Sequence, residues 1–307
     1  MSGRSRAFFE LHSRFPALLL CASAMLFQIP SMVASADDYI SPQLVKVTTP
    51  RYYPQFEDFT PRMGTYTYVV SWQGIPAASA TATFSEKDDT FIVDASARTN
   101  SAIDLLYKLR YQAVGTVLQS NLRSKKLFID HRENSRVKNI DLQFSHIDGF
   151  IKAVRSRMGS TDRKEVSFFS GNTLDPIGAG FLARSLSWNV GESKSFDVFN
   201  GKSRYLITLT AVNRQTIDYR GESKDCFVIS PRVRNLTTTK AVEKLREAFI
   251  YVTADKFREV LKIESSVFIG SVLTELDSFV PTTQPLPAVQ LASSANDDEA
   301  RASARIQ

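Results

Sequence analysis

The sequence is poor in the residues from which reactive sites are usually built: 307 residues contain three His and two Cys. Cys21 lies in an apolar run near the start, and if that run is removed Cys226 stands alone, so no intramolecular disulfide can form. His131 and His146 fall in different expected strands, and no Cys/His spacing fits a zinc site. They read as solvent-facing or hydrogen-bonded histidines, and Cys226, in "CFVIS", as a small core residue. A nucleophile elbow, a phosphate-cradling loop and a nucleotide fingerprint are all missing. Without a convergent set of bases, nucleophiles or ligands the sequence points away from an enzyme and calls for no metal and no cofactor.

Long apolar runs are equally scarce. The one candidate is "PALLLCASAMLFQI", residues 16–29, preceded by Arg4, Arg6 and Arg14 and followed by Ala34-Ser35-Ala36. Positive charge, apolar core and small-residue site, in that order, make an export signal cleaved after about Ala36. Pro16, Gln28 and Pro30 break the run, which is shorter than the roughly 20 apolar residues that span a bilayer. Leu18-Leu19-Leu20 precedes Cys21, where a lipoprotein signal has a small residue. Cleavage leaves a chain from Asp37 with no transmembrane segment, and a bacterial periplasm is the compartment it suits. Losing three Arg and one Glu lowers the formal net charge from +6 to +4. The basic clusters Arg123, Lys125, Lys126 and Arg155, Arg157, Arg163, Lys164 alternate with apolar residues, as on a solvated sheet face. No aromatic platform accompanies them, so nucleic acid is not an expected partner. Anionic lipid is the better acidic candidate.

What the chain has in abundance is period-two alternation. In "TYTYVVSW", Tyr66, Tyr68, Val70 and Trp72 share one face, and after a turn Ala78, Ala80, Ala82 and Phe84 do the same. Short strands recur at about 110–119, 122–131, 136–145 and 149–157, and again near 203–212, 216–220, 225–233, 247–254, 258–268 and 271–279, with a helix at "SAIDLLYKL" whose Ser101 and Asp104 suggest a capping box. Asn200-Gly201 suggests a two-residue hairpin turn. About a dozen antiparallel strands exceed what one flat sheet tolerates. The expected fold is mainly β: a strongly curved antiparallel sheet or partly closed β-barrel, clam-like, with one or two short helices. Residues 62–280 form this single domain, after an extended arm over 37–61 and before a disordered tail over 281–307.

One stretch interrupts the alternation: "SGNTLDPIGAGFLARSLSW", residues 170–188. Asp175 is a favourable helix N-cap and Pro176 a favourable first helical residue. Gly178, Ala179, Gly180 and Ala183 give the helix a thin surface on which a sheet can pack closely. Arg184 has two readings. It pairs with an anionic headgroup at a cavity mouth, or it bonds sheet carbonyls or a carboxylate such as Asp255 and locks helix to sheet. Asp255 and Arg258 suit a turn-stabilising pair better than an acid–base pair.

The opening "TYTYVVSWQGIPAASATATF", the central "DPIGAGFLAR" and the closing "YVTADKFREVLKIESSVFIGSVLTEL" together resemble the bacterial exported family of unknown function numbered 3108. Asp175, Pro176 and Arg184 match its Asp-Pro and helical Arg, and Thr253, Asp255 and Arg258 its closing strand pair; Tyr251 replaces a Trp and the Pro after Arg258 is missing. The resemblance implies an exported curved sheet, similar to periplasmic carriers with a half-open barrel, and no established activity. Two functions fit. One is non-catalytic binding or carriage of a lipid or other amphiphile in a sheet-lined cavity, with Tyr66, Tyr68, Trp72, Phe84 and Arg184 as binding residues and Asp175, Pro176, Asp255 and Arg258 as structural ones. The other is an envelope assembly or scaffold protein that holds a protein partner.

Overall fold

The alternation seen in the sequence becomes one long meander that turns back on itself. The computed structural model describes residues 47–157, 160–167, 171–237, 245–267 and 270–282. The expected export signal, the first part of the arm and the tail beyond Thr282 lie outside these residues, as do the side chains of Arg163 and Lys164. The strands β1 (Gly64–Trp72), β2 (Ile75–Lys87), β3 (Thr90–Thr99), β4 (Leu109–Leu118), β5 (Ser124–Glu133), β6 (Arg136–Ser145), β7 (Phe150–Arg157) and β8 (Ser160–Ser167) pair antiparallel in chain order, each with its successor. A second run of the same kind is formed by β9 (Ser193–Phe199), β10 (Arg204–Tyr219), β11 (Glu222–Asn235), β12 (Leu245–Thr253), β13 (Val260–Val267) and β14 (Gly270–Pro281). Because β14 pairs with β1, both runs join into one 14-stranded sheet whose ends are β8 and β9.

A sheet of this size must curl, since each strand is twisted relative to the next. Register shifts at Thr67/Tyr68, Val70/Ser71, Thr116/Val117 and Tyr251/Val252 mark bulges, which sharpen the bend locally. The inner face is the alternating set: Tyr66, Tyr68, Val70, Ala78, Ala80, Ala82, Phe84, Val93, Ala95, Leu109, Ala113 and Val117 are buried. β10 differs beyond Ala211, being exposed from Val212 to Thr216, while the β11 residues opposite, Cys226 to Val228, stay buried.

Four details depart from the sequence reading. The short helix α1 (Ser101–Asp104) is capped by Asn100, whose side chain accepts from the Ile103 amide 2.9 Å away, and Asp104 instead holds Arg110 and Thr99. Asn is as good a cap as Ser, so either residue can take the position. The Asn200-Gly201 turn is a four-residue loop, residues 200–203, organised by Asn200 Oδ1 accepting from the Lys202 and Ser203 amides. β10 runs unbroken where the alternation suggests two strands, because the shift between Ala211 and Asn213 absorbs the irregularity without ending the ladder. β8, "STDRKEVS", has no counterpart in the sequence reading; its polar sequence gives no alternation, and its pairing with β7 supplies the order.

The segment that joins the two ends of the sheet carries α2 (Pro176–Ser185) and lies inside the curve. Just before it, Leu174 bridges Val198 of β9 in parallel, its amide donating to Asp197 O at 2.9 Å. The pair Asp197 and Arg204 fixes the β9 end: both are fully buried, with Nε to Oδ1 at 2.7 Å and Nη2 to Oδ2 at 2.6 Å, and Thr173 Oγ1 also donates to Oδ2.

On its other side α2 presses on β4 and β5. A Cβ on Gly178 would stand 2.4 Å from Ser124 Oγ, and one on Gly115 would stand 2.8 Å from Ile177 Cδ1, so each glycine is what permits the contact. Ser124 Oγ also accepts from the Asp175 amide at 2.8 Å. We therefore expect Gly178→Ala to cost roughly 1–3 kcal/mol through overpacking, despite the better helix propensity of Ala. In a Ser124→Ala background, which removes the obstructing oxygen, the same change becomes neutral or favourable. Urea unfolding of the four-member mutant cycle measures this coupling.

Candidate functional site

Helical geometry gives α2 two unlike faces. Ile177, Gly178, Phe181, Leu182 and Ser185 fall on one side at intervals of three and four, while Ala179, Gly180, Ala183 and Arg184 fall on the other. On the former face Ile177 and Gly178 meet β4 and β5, while Phe181 packs on Phe84 of β2, Phe91 of β3 and Phe59 of the arm. The latter borders a cavity whose other walls come from Tyr66 and Tyr68 of β1, Ala82 and Phe84 of β2, Phe196 of β9 and the apolar residues Ile207, Leu209, Ile229, Ile250, Val252 and Val260 of β10–β13, with Trp188 at its end. The cavity comprises about 880 Å³ of space between atoms, the solvent at its mouth included; the centre of a water molecule can reach about 70 Å³ of it. It is thus a slot, narrow but several times larger than the roughly 10–15 Å³ needed for one water.

The small residues make the slot. Ala179, Gly180 and Ala183 keep the helix surface low, and Ala82 does the same for β2, while the aromatic rings close the sides. The polar atoms of the lining mostly point away into bonds of their own. Tyr66 OH donates to Glu259 Oε1 at 3.1 Å, Tyr68 OH to Val260 O at 3.2 Å, and Trp188 Nε1 to Ala183 O at 3.1 Å. Burial pushes the Tyr66 phenol well above its usual range, and Glu259 adds to the rise while Arg184 opposes it. Tyr66 is therefore a neutral donor and not a base.

Arg184 is the one charged residue of the lining. Its Nε donates to Arg258 O at 2.8 Å and its Nη2 to Phe257 O at 3.0 Å, so carbonyls of the β12–β13 turn lock the helix to the sheet, in agreement with one of its two readings. The guanidinium carbon lies 5.8, 5.2 and 5.9 Å from the ring centroids of Phe59, Phe84 and Phe181. Nη1 donates to no described residue. Arg184 is thus both a lock and an ordered charge at the cavity wall.

The turn that receives it is built by Asp255, whose Oδ1 accepts from Thr253 Oγ1 at 2.8 Å and from the amides of Phe257 and Arg258. Arg258, expected with Asp255 as a turn-stabilising pair, gives its amide to Asp255 and donates through Nη1 to Ala254 O at 3.1 Å. Its left-handed backbone, with φ of 49°, turns the side chain toward the Phe227 ring. The two residues stabilise one turn, joined through the Arg258 amide and not through an ion pair of their side chains. Trp72 also departs from expectation: it is half-buried and lies outside the cavity lining, past the bulge that follows Val70. Sequence reasoning missed Glu259, which holds Tyr66 and, at 2.9 Å, Arg62. An acidic residue next to an apolar strand start was the available signal.

Elsewhere the chemistry is quiet. Cys226 is fully buried, and burial pushes its thiol up to about 11. His146 is hydrogen-bonded to Ser124 O at 2.6 Å, and His131 is buried with its pKa lowered by desolvation, 3.9 Å from Glu133. Among the described residues no three His, Cys, Asp or Glu side chains come together as a metal site, and no helix is long and apolar enough to cross a membrane.

The arm packs across the helix end. Phe59 is buried edge-on to Phe181, the Gln55 amide donates to Ser185 O at 3.2 Å, and Tyr52 packs on Phe196 while its hydroxyl accepts from the Ser195 amide.

Residues 67–277 match the family described as "Protein of unknown function (DUF3108)". Among solved structures, the beta-barrel-like protein of domain of unknown function DUF1849 from Brucella abortus aligns with a TM-score of 0.51 at 7% identity. The alignment covers 73% of this chain and 100% of that one. At that identity the likeness is one of fold. No curated protein matches the chain.

The cap of α2 generates a pH dependence. Asp175 is fully buried, and its Oδ1 accepts from the amides of Ile177 and Gly178 at 2.7 and 3.0 Å. Burial raises its pKa to about 6, with the Ser124 hydroxyl and the cap amides limiting the rise. A carboxyl that is harder to ionise when folded stabilises the fold while protonated, and that contribution is lost as pH rises through about 6. Asp175→Asn keeps the cap oxygen and removes the titration. Relative to the wild type, this variant should gain up to about 3 kcal/mol in urea stability between about pH 4 and pH 7. Parallel stability curves across that range would rule the mechanism out.

Proposed function

The chain belongs to the DUF3108 family, and from the shape and lining of its cavity we propose that it binds or carries a lipid or other amphiphile without catalysing a reaction. We place it, as the sequence suggests, in the periplasm after export. The observation that carries this reading is the slot itself: walls of Ala, Ile, Val and aromatic side chains, with one ordered guanidinium among them. An apolar chain gains about 0.8 kcal/mol per methylene on leaving water. Ten methylenes supply about 8 kcal/mol, enough to meet much of the roughly 4–15 kcal/mol lost on association. Arg184 then selects the polar end. Its Nε and Nη2 are held by carbonyls, so the guanidinium is already positioned, and Nη1 remains to meet a carboxylate or phosphate oxygen.

Native mass spectrometry of gently purified full-length protein tests this directly. The wild type should carry an amphiphile-sized adduct. Ala183→Phe, which fills the slot from the helix side, should lower its occupancy at least about tenfold while leaving the fold intact. A wild-type protein that carries no adduct and takes up neither palmitate nor phosphatidylglycerol would overturn the reading.

A further inference from the structure

A second cleft lies on the far side of Phe196, where the arm crosses the segment leading into α2. It comprises about 450 Å³ of space between atoms, open solvent included, and differs from the slot in being more polar and in having two arginines on its border. Arg51 and Arg123 both border it, and neither forms an ion pair with a described residue. Arg123 donates through Nη2 to Gly171 O, and its other guanidinium nitrogens donate to no described residue. It is half-buried, and burial together with the nearby Arg51 charge disfavours its own. His146 feels the same two guanidiniums, although burial is the larger influence on it. Like charges have therefore been gathered with no ion-pair partner among the described residues.

A further observation points to a bound group. Thr49 is 6% exposed and lines the cleft, yet its Oγ1 has no hydrogen-bond partner. A buried hydroxyl left unpaired costs roughly 1–3 kcal/mol. The cleft also contains a carboxylate, Asp197, whose oxygens are both occupied by Arg204, with Thr173 sharing one of them, so it neither neutralises Arg51 and Arg123 nor repels an anion strongly.

We propose that this cleft holds a phosphate group. A tetrahedral oxyanion has enough acceptor oxygens to meet two guanidiniums and one hydroxyl together, and it supplies the missing charge. Free phosphate and a lipid headgroup both present such a group, and the recognition is the same for either. This site is separate from the apolar slot and does not rest on the amphiphile reading.

The test uses full-length protein and two probes: inorganic phosphate by isothermal titration calorimetry, and sedimentation with phosphatidylcholine vesicles with or without phosphatidic acid. We expect saturable binding to at least one probe. Arg51 is exposed and lies outside the core, so Arg51→Gln should fold normally and weaken that binding at least about tenfold. Arg51→Lys should retain part of it, since charge survives but the planar fork does not. Thr49→Val should weaken it about threefold or more. Binding of inorganic phosphate assigns the site to free phosphate or a phosphomonoester, and binding of phosphatidic acid vesicles alone assigns it to a headgroup. No binding above the phosphatidylcholine background overturns the proposal, and so does binding that Arg51→Gln and Thr49→Val leave unchanged. Ala183→Phe, which blocks the slot, should leave phosphate binding as it is, so either proposal can fail without the other.

Discussion

The contact between Gly178 of α2 and Ser124 of β5 sets the position of everything inside the sheet. Ser124 accepts from the Asp175 amide, Asp175 caps the helix, and Ile177 occupies the space that Gly115 leaves on β4. A Cβ at either glycine would press on its neighbour, Ser124 Oγ at Gly178 and the Ile177 side chain at Gly115, so a larger residue forces that contact apart. Held this closely to β4 and β5, α2 cannot also fill the opposite side of the curve. The slot is the remainder: it exists because the helix is pulled to one wall, and its depth is kept by Ala179, Gly180 and Ala183.

The same placement explains why the chain breaks its meander only once. A sheet of fourteen strands that ends at β8 and β9 must either close by hydrogen bonding or cover its ends. Here the connecting segment crosses the gap, bridges β9 at Leu174, and is fastened at both extremities of the helix. The N-terminal end is fixed by Asp175 and Ser124, the C-terminal end by Arg184 on the carbonyls of Phe257 and Arg258. The fully buried Asp197–Arg204 pair secures the neighbouring strand edge. Removing one partner of such a pair strands a buried charge, at a cost of about 3–5 kcal/mol.

The backbone plan is legible in the sequence because period-two alternation survives wherever one face is wet. Spacing alone puts Tyr66, Tyr68, Ala80, Ala82 and Phe84 on the inner face, and Asp175-Pro176 announces the helix. Alternation fails where both faces are polar, which is why β8 is silent, and where a bulge lets one strand continue through an irregular register, as in β10. The polar fixtures are hidden for another reason. Glu259, Arg204 and Asp197 are charged residues whose burial depends on partners supplied by tertiary structure, so local sequence gives them the appearance of surface groups. Trp72 misleads in the opposite direction: its parity assigns it to the cavity, and a single bulge removes it.

The central claim is that α2 is close-packed where Ile177 and Gly178 meet β4 and β5 and borders a hollow at Ala179, Gly180 and Ala183. Crystals exposed to xenon under pressure test it most directly, because xenon enters apolar cavities and stays out of close-packed interiors. The account predicts xenon between Ala183 and the Ile207, Ile250 and Val252 wall, and none between Ile177 and Gly115. Xenon on the β4–β5 side of the helix, or none on the other side in an unliganded protein, would contradict it.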